Sequence, residues 1–177
     1  MPYLIIGQTT TSATYSAGDL STDFNNTLST AASSSCAGVL NVPVPAGRFV
    51  TGIDVSYDME ALGINFLDEQ WSYLECITTG IKEANISDTF SLQQGVHSYS
   101  RTNLKIANGV VPAGGTQFKL HAFRITSNSG CNYSHKILII NKLSSIEAMV
   151  IDVSGHTIGH IAYYLPEVKL LFSGDAL

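Results

Sequence analysis

The sequence predicts an all-β chain: an antiparallel β-sandwich of the jelly-roll or immunoglobulin-like kind, preceded by a polar N-terminal arm. Three observations carry that expectation. Short runs rich in β-branched and aromatic residues recur along residues 38–142, some with period-two alternation. Gly, Pro and Asn clusters separate those runs. No long run repeats apolar residues at the 3.6-residue period of a helix. The chain divides into an arm (1–35), a sandwich (36–145) and a β-rich tail (146–177).

In chain order, residues 8–35 are rich in Ser, Thr and Ala and read as an extended arm. Leu20, Phe24, Leu28 and Ala31 also fall at helical spacing, with Ser21 or Thr22 as a cap, so a short helix is the alternative. If the arm is ordered, something must hold it, such as a neighbouring subunit. Pro43-Val44-Pro45-Ala46-Gly47 marks a turn. The alternation over residues 48–58 predicts a half-buried strand with Phe49, Thr51, Ile53, Val55 and Tyr57 on one face. Residues 70–79 predict a second strand, 96–106 a third and 116–126 a fourth, with Phe118, Leu120 and Ala122 on one side. Residues 135–142 contain Ile137-Leu138-Ile139-Ile140, a continuous apolar run suited to a central strand. Residues 147–153, 161–165 and 169–172 predict three further strands. Val-Pro-Ala-Gly occurs at 44–47 and again at 111–114, but the flanks differ, so both read as turn chemistry rather than duplication.

The 177 residues suffice for one domain with a real core. Only 13% are charged and the net charge is −5, while hydroxyl and amide residues are abundant. That composition suits an extracellular or assembled protein. The nine Lys and Arg are scattered. A nucleic-acid groove needs clustered cations to displace counterions, so that partner class is excluded. No apolar run reaches the ~20 residues that span a bilayer as a helix. Met1-Pro2-Tyr3-Leu4-Ile5-Ile6-Gly7 lacks the basic and long apolar regions of a signal peptide, so the sequence is expected to be a mature form if secreted. Cys36, Cys76 and Cys131 allow one disulfide in three pairings, and none has metal-binding spacing. Asn25, Asn85 and Asn132 each begin an Asn-x-Ser/Thr glycosylation sequon.

Two segments resemble known families. Gly155-His156-Thr157-Ile158-Gly159-His160, followed by Ser173-Gly174-Asp175, resembles one limb of the metallo-β-lactamase fold, especially its glyoxalase II-like hydrolases. The resemblance implies metal-ligand roles for His156 and Asp175, with His160 part of the motif but not a ligand. It would imply zinc and hydrolysis of a thioester or related bond. The family's principal signature, His-x-His-x-Asp-His, is absent from these residues. A catalytic zinc usually needs three protein ligands and an open position, and two fall short. The tail is thus a hydrolase-derived segment joined to the sandwich, a composite reading frame, or a set of ordinary strands.

The second resemblance rests on Val44-Pro45-Ala46-Gly47, Val55-Ser56-Tyr57-Asp58-Met59, Glu69-Gln70-Trp71-Ser72-Tyr73-Leu74-Glu75-Cys76, His97-Ser98-Tyr99-Ser100-Arg101-Thr102, Ile106-Ala107-Asn108-Gly109 and Ser129-Gly130-Cys131-Asn132. It is similar to a β-sandwich module of large secreted surface proteins of gliding and marine bacteria, over residues 36–142. That module carries no defined catalytic site.

Other candidate sites are weaker. His97, His121 and His135 would hold a metal only if their strands were neighbours. Asp54, Asp58, Glu60, Asp68 and Glu69 flank a predicted loop whose oxygens suit Ca²⁺. Trp71, Tyr73, Tyr99 and Tyr57 form an aromatic set that would suit a sugar, or simply a core. No Gly-x-Ser-x-Gly elbow occurs. The expectation is a non-enzymatic extracellular module with a structural, adhesive or self-assembling role, needing no cofactor. Its partners would be copies of itself or surface glycans. A zinc hydrolase and a carbohydrate-binding module are the alternatives.

Overall fold

The computed structural model describes residues 10–15, 17–45, 48–109, 114–126, 129–138, 142–152, 161–165 and 170–172. Among them lie thirteen strands and a single 3-10 turn, Leu67–Glu69. The strands are β1 (Thr10–Ala13), β2 (Leu20–Phe24), β3 (Val39–Val42), β4 (Arg48–Ala61), β5 (Gln70–Cys76), β6 (Ile81–Lys82) and β7 (Ser87–Asp88). There follow β8 (Gly95–Leu104), β9 (Thr116–Arg124), β10 (Asn132–Ile137), β11 (Lys142–Asp152), β12 (Ile161–Leu165) and β13 (Leu170–Phe172).

They form one curled, mixed sheet in the order β13-β12-β11-β4-β10-β2-β9-β5-β6, with β1 on β11, β3 on β9, β7 on β5 and β8 on β4. The predicted purely antiparallel arrangement is corrected at one strand. β2 pairs antiparallel with β10 through Leu20–Thr22, then parallel with β9 through Asp23 and Phe24. It therefore joins the two halves of the sheet. Residues 20–24 are strand, not helix; their helical spacing gives way to ladder bonds that hold both edges of β2.

The curl brings β4 over β5 and β9. Val50, Ile53, Val55, Tyr57 and Met59 of β4 share one core with Leu74 and Cys76 of β5 and Phe118, Leu120 and Ala122 of β9. Each such large apolar side chain contributes roughly 1.5–3 kcal/mol on burial. Gln70, Trp71, Ser72, Tyr73 and Leu74 are all buried, so β5 is covered on both faces. A strand covered on both faces has no solvent-facing side, so Gln70 and Ser72 are buried on one face as Trp71 and Tyr73 are on the other.

β4 departs from its predicted alternation at its start. Its partner β11 places Ile146 opposite Gly52 but Glu147 opposite Val50, so Thr51 is the extra residue of a bulge. A bulge shifts the in–out phase by one. Val50 is buried, and Phe49 and Thr51 are only half-buried, whereas Ile53, Val55 and Tyr57 point inward as expected. The apolar run at 137–140 also reads differently. β10 ends at Ile137, which is buried, and residues 139–140 lie outside the described residues.

β11 runs antiparallel along residues 48–56 of β4, and β12 and β13 continue the same sheet. Residues 10–13 of the arm pair with the other edge of β11.

Candidate functional site

The outer face of β5 and β9 carries a second cluster. Trp71 stands opposite Phe123, and Tyr73 opposite His121. The Trp71 and Phe123 rings stack at 4.1 Å, and those of Tyr73 and His121 at 4.5 Å. Stacked pairs of this kind add roughly 0.5–1.5 kcal/mol beyond their buried area.

Residues 25–36 lie over these rings. Trp71 Nε1 donates to the Asn25 carbonyl at 3.0 Å, and the Tyr73 hydroxyl donates to the Ala32 carbonyl. Ser34 N–H donates to His121 Nδ1 at 3.0 Å. Nδ1 is therefore the acceptor, Nε2 carries the proton, and it donates to Glu75 Oε2 at 2.6 Å. Burial pushes His121 below its ordinary pKa, against the opposing pull of Glu75. The covering segment ends at Cys36, bonded to Cys131; Cys76 is a buried free thiol.

A polar network fills the space between β4, β8 and residues 81–88. Glu83 accepts from Arg101 Nε at 2.6 Å and Nη2 at 2.9 Å, and from Leu74 N–H at 2.5 Å. Arg101 Nη1 donates to the Tyr57 hydroxyl at 2.8 Å, which bonds Ser72 Oγ at 2.5 Å. Burial pulls the Arg101 guanidinium down, but Tyr57 and Glu83 beside it hold it above its ordinary value. Burial pushes Tyr57 up, so its hydroxyl stays protonated. A cleft of about 470 Å³ opens beside this network, lined by residues 81–87 with Arg101 and 103–106.

The histidines do not converge. His97 packs edge-on against Tyr99, and His121 bonds Ser34 and Glu75. His135 Nε2 donates to the Phe66 carbonyl at 2.9 Å, while its Nδ1 is buried with no hydrogen-bond partner among the described residues. Among the described residues, one group brings three potential metal-ligand atoms together: Asp23, Cys36 and Cys131, within 4.8 Å of one another. Both its sulfurs are committed to the disulfide.

Among the described residues, the carboxylates do not gather into a three-ligand group either. Asp54, Asp58 and Glu60 lie along β4, and Asp68 and Glu69 lie in the 3-10 turn. Asp54 accepts from Asn103 N–H, and Glu60 reaches Lys136 at 3.4 Å. The four aromatics offer no exposed platform: Trp71, Tyr73 and Tyr57 are 0% exposed and Tyr99 is 5% exposed. Of the sequons, Asn25 and Asn132 turn their Oδ1 back onto Thr27 and Ser134, and Asn85 is exposed beside the cleft. His156 and Asp175 lie outside the described residues. The sequence alone missed the cover over Trp71 and the Glu83–Arg101 pair, because their partners are far apart along the chain.

No family model matches the chain, and no solved structure matches it. Curated relatives match it over short stretches. The hydroxyacylglutathione hydrolase of Erythrobacter litoralis is 57% identical over 35 residues, which is 20% of this chain and 14% of that protein. That of Rhodobacter capsulatus is 67% identical over 30 residues, 17% of this chain and 12% of that protein. That of Cereibacter sphaeroides is 47% identical over 36 residues, 20% of this chain and 14% of that protein. The likeness is to a segment only. It supports a metallo-β-lactamase-like stretch, and the chain spans no more than 14% of the length of these relatives.

The described histidines do not fit a three-ligand zinc site. His121 uses both ring nitrogens within the fold, His135 is fully buried, and His97 stands apart on β8. Among the described residues, no helix is long and apolar enough to cross a membrane.

Proposed function

We propose that this chain is a non-enzymatic extracellular β-sandwich module with a structural, adhesive or self-assembling role. One observation carries the reading: among the described residues, the groups best suited to chemistry are engaged in holding the sheet together. His121 ties residues 25–36 to β9, His135 ties β10 to the 62–66 loop, and Glu83 with Arg101 ties residues 81–88 to β8. The shared core of β4, β5 and β9 supports two facing layers rather than an open sheet. The Cys36–Cys131 crosslink supports an oxidising compartment.

The surface supports association. Among the described strands, β8 pairs with β4 alone, so its other edge offers ladder groups along Gly95–Leu104. Ser98, Ser100 and Thr102 alternate outward along it. The Tyr3-Leu4-Ile5-Ile6 segment of a neighbouring copy would add a strand to such an edge by main-chain bonding. Sedimentation and negative-stain microscopy of the full chain and of a chain lacking residues 1–9 test this. Oligomers that disappear on truncation are expected. A full chain that stays monomeric at every concentration, or assemblies unchanged by the truncation, would contradict self-assembly through this segment.

The second reading is a zinc-dependent hydrolase of the metallo-β-lactamase superfamily, favoured by the short stretches of high identity to hydroxyacylglutathione hydrolases. Metal content and thioester hydrolysis separate it from the first.

A further inference from the structure

Trp71, Phe123 and Tyr73 are at most 1% exposed, and residues 25–36 form part of their cover. That cover has little apolar hold. Ala32 is the one apolar side chain of these residues packed against the aromatic cluster, and Asn26, Thr27, Leu28, Ala31, Ser33 and Ser35 are exposed. Its other attachments are polar: the bonds from Trp71, Tyr73 and Ser34 described above, Lys82 Nζ to the Thr30 carbonyl at 3.1 Å and to Ser33 Oγ at 3.4 Å, and, at the two ends, Asn25 N–H to the Arg124 carbonyl and Ser35 N–H and Oγ to Asp23 Oδ2, each at 2.9 Å. Net, a hydrogen bond of this kind contributes only about 1 kcal/mol. Segments with few buried apolar contacts open locally at low free energy.

The ends of the segment are fixed differently from its middle. β2 precedes it and β3 follows it, both laddered to the sheet. Residues between them can lift without breaking a strand pair. The covalent restraint within this stretch is Cys36–Cys131, whose partner Cys131 is exposed on the loop before β10. A reductant reaches an exposed sulfur directly.

We propose that residues 25–36 are a redox-releasable strap, latched by the Cys36–Cys131 disulfide, that conceals an aromatic site built from Trp71, Tyr73 and Phe123. A dithiol reductant opens the latch. Its thiolate attacks one sulfur, the sulfur–sulfur bond breaks, and a second thiolate resolves the mixed disulfide. Cys36 and Cys131 each gain a proton, and the reductant leaves as its cyclic disulfide. The strap is then held by non-covalent bonds alone, polar apart from Ala32, and its middle exchanges between closed and lifted positions that bare the rings to solvent.

The chain has one tryptophan, so Trp71 reports on its own cover. The experiment compares the oxidised chain, the same chain in dithiothreitol, and the Cys36→Ser, Cys131→Ser double variant. Acrylamide quenching of Trp71 emission is read beside amide hydrogen exchange of the strap and of β5 and β9. The quenching constant is expected to rise about threefold or more in the reduced and variant chains, with faster exchange over residues 28–35 and unchanged protection of β5 and β9. Reoxidation restores the original quenching. Unchanged quenching, with both new thiols titrated, overturns the proposal. Loss of protection in β5 and β9 together with the strap also overturns it, because the crosslink would then be a staple for the whole fold.

Discussion

His121 illustrates how one side chain couples distant segments. Its Nδ1 accepts from Ser34 N–H, so a second proton on the ring has nowhere to go without breaking that bond. The groups around it are Glu75 and Tyr73 on β5, Lys119 on β9 and Lys82 on β6. Burial lowers the pKa of His121, and burial likewise lowers that of His135, from the ordinary histidine value of 6.5. The unfolded chain therefore binds protons at a higher pH than the folded one. Stability from these two groups is complete above the unfolded value and declines as pH falls from there towards the lowered folded values. Urea denaturation at about pH 7.5 and about pH 5 tests this, with a lower midpoint expected at the acid pH. Equal midpoints would contradict the assignment of both rings as buried neutral groups.

At the scale of elements, the Glu83–Arg101 pair fastens two very short strands, β6 and β7, whose ladders with β5 involve two residues each. Removing one partner leaves a charge with little solvent. Glu83→Ala is expected to lower stability by about 3–5 kcal/mol, read from urea denaturation. The Glu83→Leu, Arg101→Met double variant should recover most of that loss, because no buried charge is left unpaired. A double variant as weak as the single one would show that the ion pair itself, not the orphaned Arg101, sets the effect.

The same scale shows what could be read from sequence. The strands at 70–76, 96–104 and 116–124 were legible because β-branched and aromatic runs end at turn residues. The bulge at Thr51 was not, because it is defined by register against β11, about 95 residues away. The extended reading of the arm left open that residues 20–24 pair in the sheet, because their partners on β10 and β9 lie about 100 residues away. Of the candidate site, the Gly-His-Thr-Ile-Gly-His string was plain in the sequence. The strap over Trp71 was not, since its anchors Asn25, Ala32 and Ser34 carry no local signature for partners on β5 and β9.

At the scale of the molecule, β11 decides how the tail relates to the rest. It pairs with eight residues of β4 and also receives β1 and β12. Cutting the chain before Lys142 removes the whole of that ladder and bares one edge of β4. Such a chain is expected to aggregate or to lose its cooperative urea transition, read by circular dichroism. A truncated chain with an unchanged midpoint would mean that residues beyond 141 are an appendage.

The proposed role as a module rather than a zinc hydrolase is tested most directly by measuring bound zinc in the purified full chain alongside hydrolysis of an acylglutathione thioester. The account predicts far below one zinc per chain and no hydrolysis above the uncatalysed rate. About one equivalent of zinc or more, with thioester turnover abolished by a chelator and restored by added zinc, would contradict it.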